Sequence, residues 1–145
     1  MGDLIQDLQY YYSDYLAGDP SQLERLYRDD IIFCDPLHRI EGLPGLKRYF
    51  AAMSEGLTEC RFEFDDASIA GDSACLPWHM HYAHLSLNGG RPLVLRGCSL
   101  LRYADKVYYH EDFYDLGAMV YERVPLLGTL VRGVKSRMAQ VGAEP

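Results

Sequence analysis

Over the first third of the chain, apolar residues recur at helical spacing. Leu4, Leu8, Tyr11 and Tyr15 share one face, with Ile5, Tyr12 and Leu16 beside it, which predicts an amphipathic helix. Asp3 with Gln6 three positions on resembles a capping box, and Gly18 is placed to stop the helix. Asp19-Pro20 sets an N-cap residue before a proline at the first helical position. It opens a short second helix through Leu23, Leu26 and Tyr27. The apolar run Ile31-Ile32-Phe33-Cys34 reads as a strand over 31–35. A third helix, starting near Pro44, carries Leu46, Tyr49, Phe50 and Met53 at helical spacing.

The period then changes to two. Cys60, Phe62 and Phe64 alternate with charged residues, and Ala70-Gly71-Asp72-Ser73 reads as a turn. A long strand is predicted over 74–87, a hairpin at Asn88-Gly89-Gly90, a returning strand over 93–103 and a last strand over 107–115. Helices first and an antiparallel meander after predict an α+β domain, with the helices packed on one face of a sheet that curls around them.

A length of 145 residues fits one domain with a real core. The net charge of −7 argues against a nucleic-acid partner. No apolar run reaches the length of a membrane span, and the N-terminal residues carry no signal-peptide pattern. Cys34, Cys60, Cys75 and Cys98 are widely spaced without a Cys-x-x-Cys. They read as reduced, buried thiols of a cytoplasmic protein rather than as disulfides or a zinc site. Twelve tyrosines against five phenylalanines suit a cavity whose apolar walls end in hydrogen-bonding tips.

Asp35-Pro36 is the oddest local feature. The acid closes a strand that heads into the core, where a carboxylate is costly unless paired. It is either an acid at the mouth of a pocket or a cap for the loop through Leu37 and His38. Together with the element order, the stretch Tyr11 … Leu16-Ala17-Gly18-Asp19 … Asp29-Asp30 … Asp35-Pro36 … Gly42 resembles the ketosteroid isomerase branch of the nuclear transport factor 2-like superfamily. That superfamily also holds the SnoaL-like polyketide cyclases and limonene epoxide hydrolase. The resemblance extends to about Gly117. It implies a cone-shaped, cystatin-like α+β barrel in which a curved antiparallel sheet wraps the N-terminal helices around a pocket. Residues 1–117 would form the barrel and residues 118–145 a C-terminal amphipathic extension.

The resemblance also implies site residues. Asp35 matches the isomerase general base, and Tyr11 matches the tyrosine that steadies the oxyanion. Ser99 stands where the isomerase has the protonated aspartate that assists that tyrosine, so this second donor is weakened or absent. On the last strand His110, Asp112 and Tyr114 share a face. Asp112 resembles the acid/base aspartate of SnoaL-like cyclases. By the same alternation Trp78, Met80, Tyr82 and His84 point inward, and Ser99, Tyr49 and Phe50 complete the expected lining. A carboxylate beside Trp78 and Met80 loses hydration, which suits general acid–base work near neutral pH. His110 would orient Asp112.

Plainer readings stand beside these. Tyr11 also fits a core position, and Asp112 with His110 also fits a solvated pair. His79-x-His81 has metal-ligand spacing, but on the opposite sheet face and without a third ligand, so no metal or other cofactor is expected. An epoxide-hydrolase reading needs an inward arginine; neither Arg96 nor Arg102 is in phase for one, which leaves Arg39 on its loop, and the reading ranks below an isomerase- or cyclase-like one. Leu126, Leu127, Leu130, Val131, Val134 and Met138 form an apolar stripe after Pro125, with Arg132, Lys135 and Arg137 opposite. The stripe fits packing on the barrel or on a second copy, a lid, or an interfacial anchor. The expected function is cofactor-free isomerase- or cyclase-like chemistry on a small apolar or aromatic carbonyl compound, in a homodimer formed through the outer sheet face. The alternatives are a non-catalytic binder using the same pocket and an interaction module working through the C-terminal helix.

Overall fold

A computed structural model describes residues 2–119 and 127–143. Helix α1 (Gly2–Ser13) is followed by two 3-10 turns (Tyr15–Ala17 and Pro20–Gln22) and a one-turn helix α2 (Leu23–Leu26). Then come β1 (Tyr27–Cys34), β2 (Arg39–Glu41), α3 (Leu43–Ser54), β3 (Leu57–Phe64), β4 (Ser68–Ala70), β5 (Ser73–His84), β6 (Leu93–Tyr103), β7 (Val107–Tyr114), α4 (Leu116–Met119) and α5 (Leu127–Ala143). The Asp19 side chain accepts from the Ser21 N–H while Gln22 reaches back to the Asp19 N–H, with Pro20 at the first position. This is the reciprocal cap its sequence predicts. Asp3 lies in the first turn of α1, because the helix already begins at Gly2.

The curved sheet runs in the order β2-β1-β7-β6-β5-β3, with β4 on the edge of β5. Neighbours are antiparallel except β1 and β7, which run parallel with Phe33 beside His110 and Cys34 beside Glu111. The expectation of a wholly antiparallel sheet is corrected here. Strands so far apart in sequence carry no local signal of their mutual direction, which is decided when the ends of the sheet meet. The Asn88-Gly89-Gly90 segment does not close a tight hairpin. β5 ends at His84, and Asn88–Gly90 form a 3-10 turn in a wider loop, all three with positive φ.

Helices α1 and α3 pack on the concave face. Leu8, Leu23, Ile31, Leu46, Leu76 and Leu101 are at most 1% exposed and belong to one cluster. A smaller cluster around Trp78, Tyr82 and Leu95 lies toward the other end of the sheet. Gly18 leaves the first 3-10 turn with φ −65°, so no left-handed backbone demands it. Its role is clearance: a Cβ there would stand 2.6 Å from Tyr11 Cε2. Of the four cysteines, all free, only Cys60 is fully buried, and Cys34, Cys75 and Cys98 are half-buried.

Among the described residues, no helix is long and apolar enough to cross a membrane. Helix α5 forms as its periodicity predicts and is tied to the barrel by an ion pair between Lys135 and Asp115. That lysine holds the Asp115 carboxyl below the usual carboxylate range. Of the readings open to the apolar stripe, packing on the barrel is not what the described residues show: Leu130, Val134 and Met138 are exposed, and Val131 is half-buried. Pro125 and Leu126 lie outside the described residues.

Candidate functional site

Extending the β1–β7 register by one residue past Cys34 and Glu111 sets Asp35 beside Asp112. Both carboxylates line a cavity of about 270 Å³ between the sheet and helices α1 and α3. Its walls are mostly aromatic and aliphatic. Trp78, Met80, Tyr82 and His84 enter from β5, Tyr114 from β7, and Tyr49 and Phe50 from α3, as strand alternation and helical spacing predict. Ser99 is the exception. It is buried behind the wall, where it accepts from Trp78 Nε1 (2.9 Å) and donates to Asp112 Oδ1 (2.5 Å).

Tyr11 is not brought to the cavity. Its ring packs under Gly18, and burial together with nearby Asp19 pushes its phenol up to about 12. The phenols that α1 and the following turn supply to the wall are Tyr12 and Tyr15. One residue along a helix is a rotation of about 100°, enough to exchange one tyrosine for its neighbour. The apolar stripe was broad enough to hold both, so spacing alone did not separate them.

The two acids differ in what occupies their oxygens. Asp35 Oδ1 accepts the backbone N–H groups of Leu37 (2.9 Å) and His38 (2.7 Å) and faces His38 Nδ1 (3.1 Å). Its Oδ2 accepts the Tyr49 hydroxyl. The side chain is only 3% exposed, so Asp35 is both a loop cap and a wall residue, with its lone pairs largely engaged. At Asp112, Oδ1 takes both Ser99 and His110 Nε2 (2.7 Å), while Oδ2 has no partner among the described residues. That side chain is 17% exposed. Asp112 therefore offers the cavity one open carboxylate oxygen.

Behind Asp112 runs a polar chain that the sequence did not reveal. His110 is 1% exposed rather than a member of a solvated pair. Its Nδ1 meets the Tyr27 hydroxyl at 2.8 Å, and Tyr27 meets the Tyr12 hydroxyl at 2.8 Å. Every donor finds an acceptor when Nε2 carries the imidazole proton: Tyr12 donates to Tyr27, Tyr27 to Nδ1, and Nε2–H to Asp112. Tyr27 reads in the sequence as the last apolar residue of a helix. Its role depends on His110, which lies far along the chain and is reached only through the parallel pairing.

Two results are expected from this network. Tyr27→Phe leaves the buried Tyr12 hydroxyl and His110 Nδ1 without their partner, and should cost about 1–3 kcal/mol in denaturant unfolding. The double change Tyr12→Phe/Tyr27→Phe should cost less than the sum of the single changes. Burial also holds the Tyr12 and Tyr27 phenols well above their ordinary value. In the unfolded chain they ionise near pH 10, while in the fold they keep their protons. The unfolded state thus binds fewer protons above that pH, and stability should be full below about pH 10 and fall as pH rises beyond it. Tyrosinate absorbance and far-UV circular dichroism should change together in an alkaline titration; smooth ionisation of all tyrosines before unfolding would contradict this.

Tyr114 completes the polar inventory. It lines the cavity and its hydroxyl has no hydrogen-bond partner among the described residues. Burial first, then the charges of Asp35 and Asp112, push its phenol up; Tyr49 is raised by burial, its bond to Asp35 and the same two charges. At the rim, His84 Nδ1 accepts the Ser86 N–H and Nε2 faces the Glu55 carbonyl. Among the described residues no lysine or arginine lines the cavity, so none of them supplies the inward arginine that an epoxide hydrolase needs. Among the described residues no three His, Cys, Asp or Glu side chains group as a metal site.

The family model described as a SnoaL-like domain matches residues 8–110. No curated protein matches the chain. Among solved structures, a protein of ketosteroid isomerase-like fold from Catenulispora acidiphila, in complex with trimethylamine, is similar at 15% identity and a TM-score of 0.71, over 83% of this chain and 90% of that one. A candidate SnoaL-like polyketide cyclase from a Jannaschia species is similar at 16% identity and 0.69, over 80% and 88%. TerC, co-crystallised with polyporic acid, is similar at 17% identity and 0.68, over 81% and 92%. At such identities these likenesses speak to the fold.

Proposed function

This chain belongs to the SnoaL-like domain family, and on that premise we propose that its cavity takes a small carbonyl compound with an apolar skeleton and moves a proton on it without a cofactor. The observation that carries the reading is Asp112 Oδ2, one open carboxylate oxygen in an apolar cavity, backed by the buried His110–Tyr27–Tyr12 chain. A carboxylate so placed removes a proton from the carbon next to the carbonyl. The electron pair left behind moves onto the carbonyl oxygen, and the Tyr114 hydroxyl is the unengaged donor that meets it. Return of the proton at another carbon gives isomerisation; attack of the enolate on a second carbonyl closes a ring. Asp35 acts here as a positioning residue that fixes Tyr49 and the adjoining loop. The small molecules held by two structural neighbours, trimethylamine and polyporic acid, support a small-molecule occupant. A homodimer through the outer sheet face, where Val94 and Phe113 are more than half exposed, is part of the same proposal.

The test needs no native substrate. The protein is incubated with an apolar cyclic ketone such as a tetralone in heavy water, and loss of the α-proton signal is followed by NMR. Exchange above the rate of the same concentration of acetate is expected. Binding of the ketone without faster exchange would instead favour a non-catalytic carrier.

A further inference from the structure

The charge pattern of the cavity says what kind of molecule it admits. Asp35 and Asp112 line it, Glu55 stands at its rim, and among the described residues no lysine or arginine faces them. His84, at the same rim, carries no proton on Nδ1, since that nitrogen accepts the Ser86 N–H. The space beside the two acids is walled by rings. Trp78 and Tyr114 lie tilted at 52° with centroids 6.4 Å apart, and Phe33 and Tyr49 at 49° and 5.7 Å. The phenols of Tyr49 and Tyr114 each feel both carboxylates, so the two fields converge on one region.

Each class of ligand meets a different balance there. A carboxylate would give up its water to face like charges and the negative faces of rings. A neutral alkyl group would fill the space but leave the charges of the two carboxylates uncompensated. An ammonium group satisfies both at once, through attraction to the ring faces and to the carboxylates in a site shielded from water. We propose that the cavity selects ligands bearing an ammonium group, permanent or as a protonated amine, and excludes carboxylates. The inference rests on the reading of this cavity as the ligand site, and narrows the carbonyl compound to one that carries an amine.

Three probes of nearly one shape separate the classes: (meta-hydroxyphenyl)trimethylammonium, its neutral isostere meta-tert-butylphenol, and meta-hydroxybenzoate. Binding to the full chain is measured by calorimetry and by the emission of Trp78, the one tryptophan in the sequence. The cation is expected to bind at least about tenfold more tightly than the phenol, and the benzoate more weakly than either. Asp112→Asn should cut the cation's advantage over the phenol about tenfold. Equal or weaker binding of the cation than of the phenol overturns the inference, as does failure of all three probes to bind. The tetralone exchange is independent of this result, since it reads proton removal from a neutral ketone. Exchange with no preference for the cation would sink the charge selectivity and leave the proton chemistry standing.

Discussion

Asp112→Asn is expected to lower the rate of ketone proton exchange by about 10²–10⁴-fold, the usual contribution of a positioned general base. The change is nearly isosteric. The amide oxygen still accepts from Ser99 and His110, so the buried chain keeps its acceptor and the fold its stability. What is lost is the one open oxygen that could take a proton. Asp35→Asn is the informative comparison. Its amide oxygen still accepts the Leu37 and His38 N–H groups, while Tyr49 loses an acceptor. Its effect on exchange should be at least about ten times smaller than that of Asp112→Asn. A larger loss from Asp35→Asn would return the base to the position that the ketosteroid isomerase resemblance assigned to it.

Gly97→Val is expected to be the most damaging single change to the architecture. Gly97 stands directly across from Trp78 in the β5–β6 ladder, on the same face. The indole lies flat over it, and a Cβ at 97 would stand 2.3 Å from Trp78 Cη2. The ring is 2% exposed, packs edge-on against Phe62 and is held by its Nε1 bond to Ser99, so it can yield only into the cavity it lines, at the cost of that bond. Overpacking of this kind costs about 1–3 kcal/mol or more. Displacing the indole also strips Ser99 of a partner and disturbs the oxygen of Asp112 that Ser99 holds. The variant should unfold at lower denaturant and shift the emission of Trp78. Wild-type stability with unchanged emission would mean that the ring is not pinned where it is described.

How much of this was legible can be judged element by element. The Asp19-Pro20 cap, the third helix from Leu43, the long strands and the inward set Trp78, Met80, Tyr82 and His84 follow from periods of 3.6 and 2 and from capping chemistry, all local signals. Ser99 has the parity of a lining residue. Parity fixes a face and not a depth, and Trp78 folds over it. Gly97 did carry a signal, a glycine inside a strand pattern, which commonly marks close approach of another group. Tyr27 carried none, because its partner His110 lies 83 residues away.

From sequence alone came the α+β order, the family resemblance, the acids Asp35 and Asp112, and the face of each strand. These are properties of neighbours in the chain, where backbone geometry and side-chain period leave little choice. The tertiary structure alone decided that β1 and β7 run parallel and bring the two acids side by side, and that Tyr12 rather than Tyr11 reaches the wall. It also decided that Asp35 is saturated with donors while Asp112 keeps one oxygen open. Those outcomes depend on which distant groups exclude water from one another, and a hydrogen bond's donor and acceptor are assigned only once the chain has closed around them.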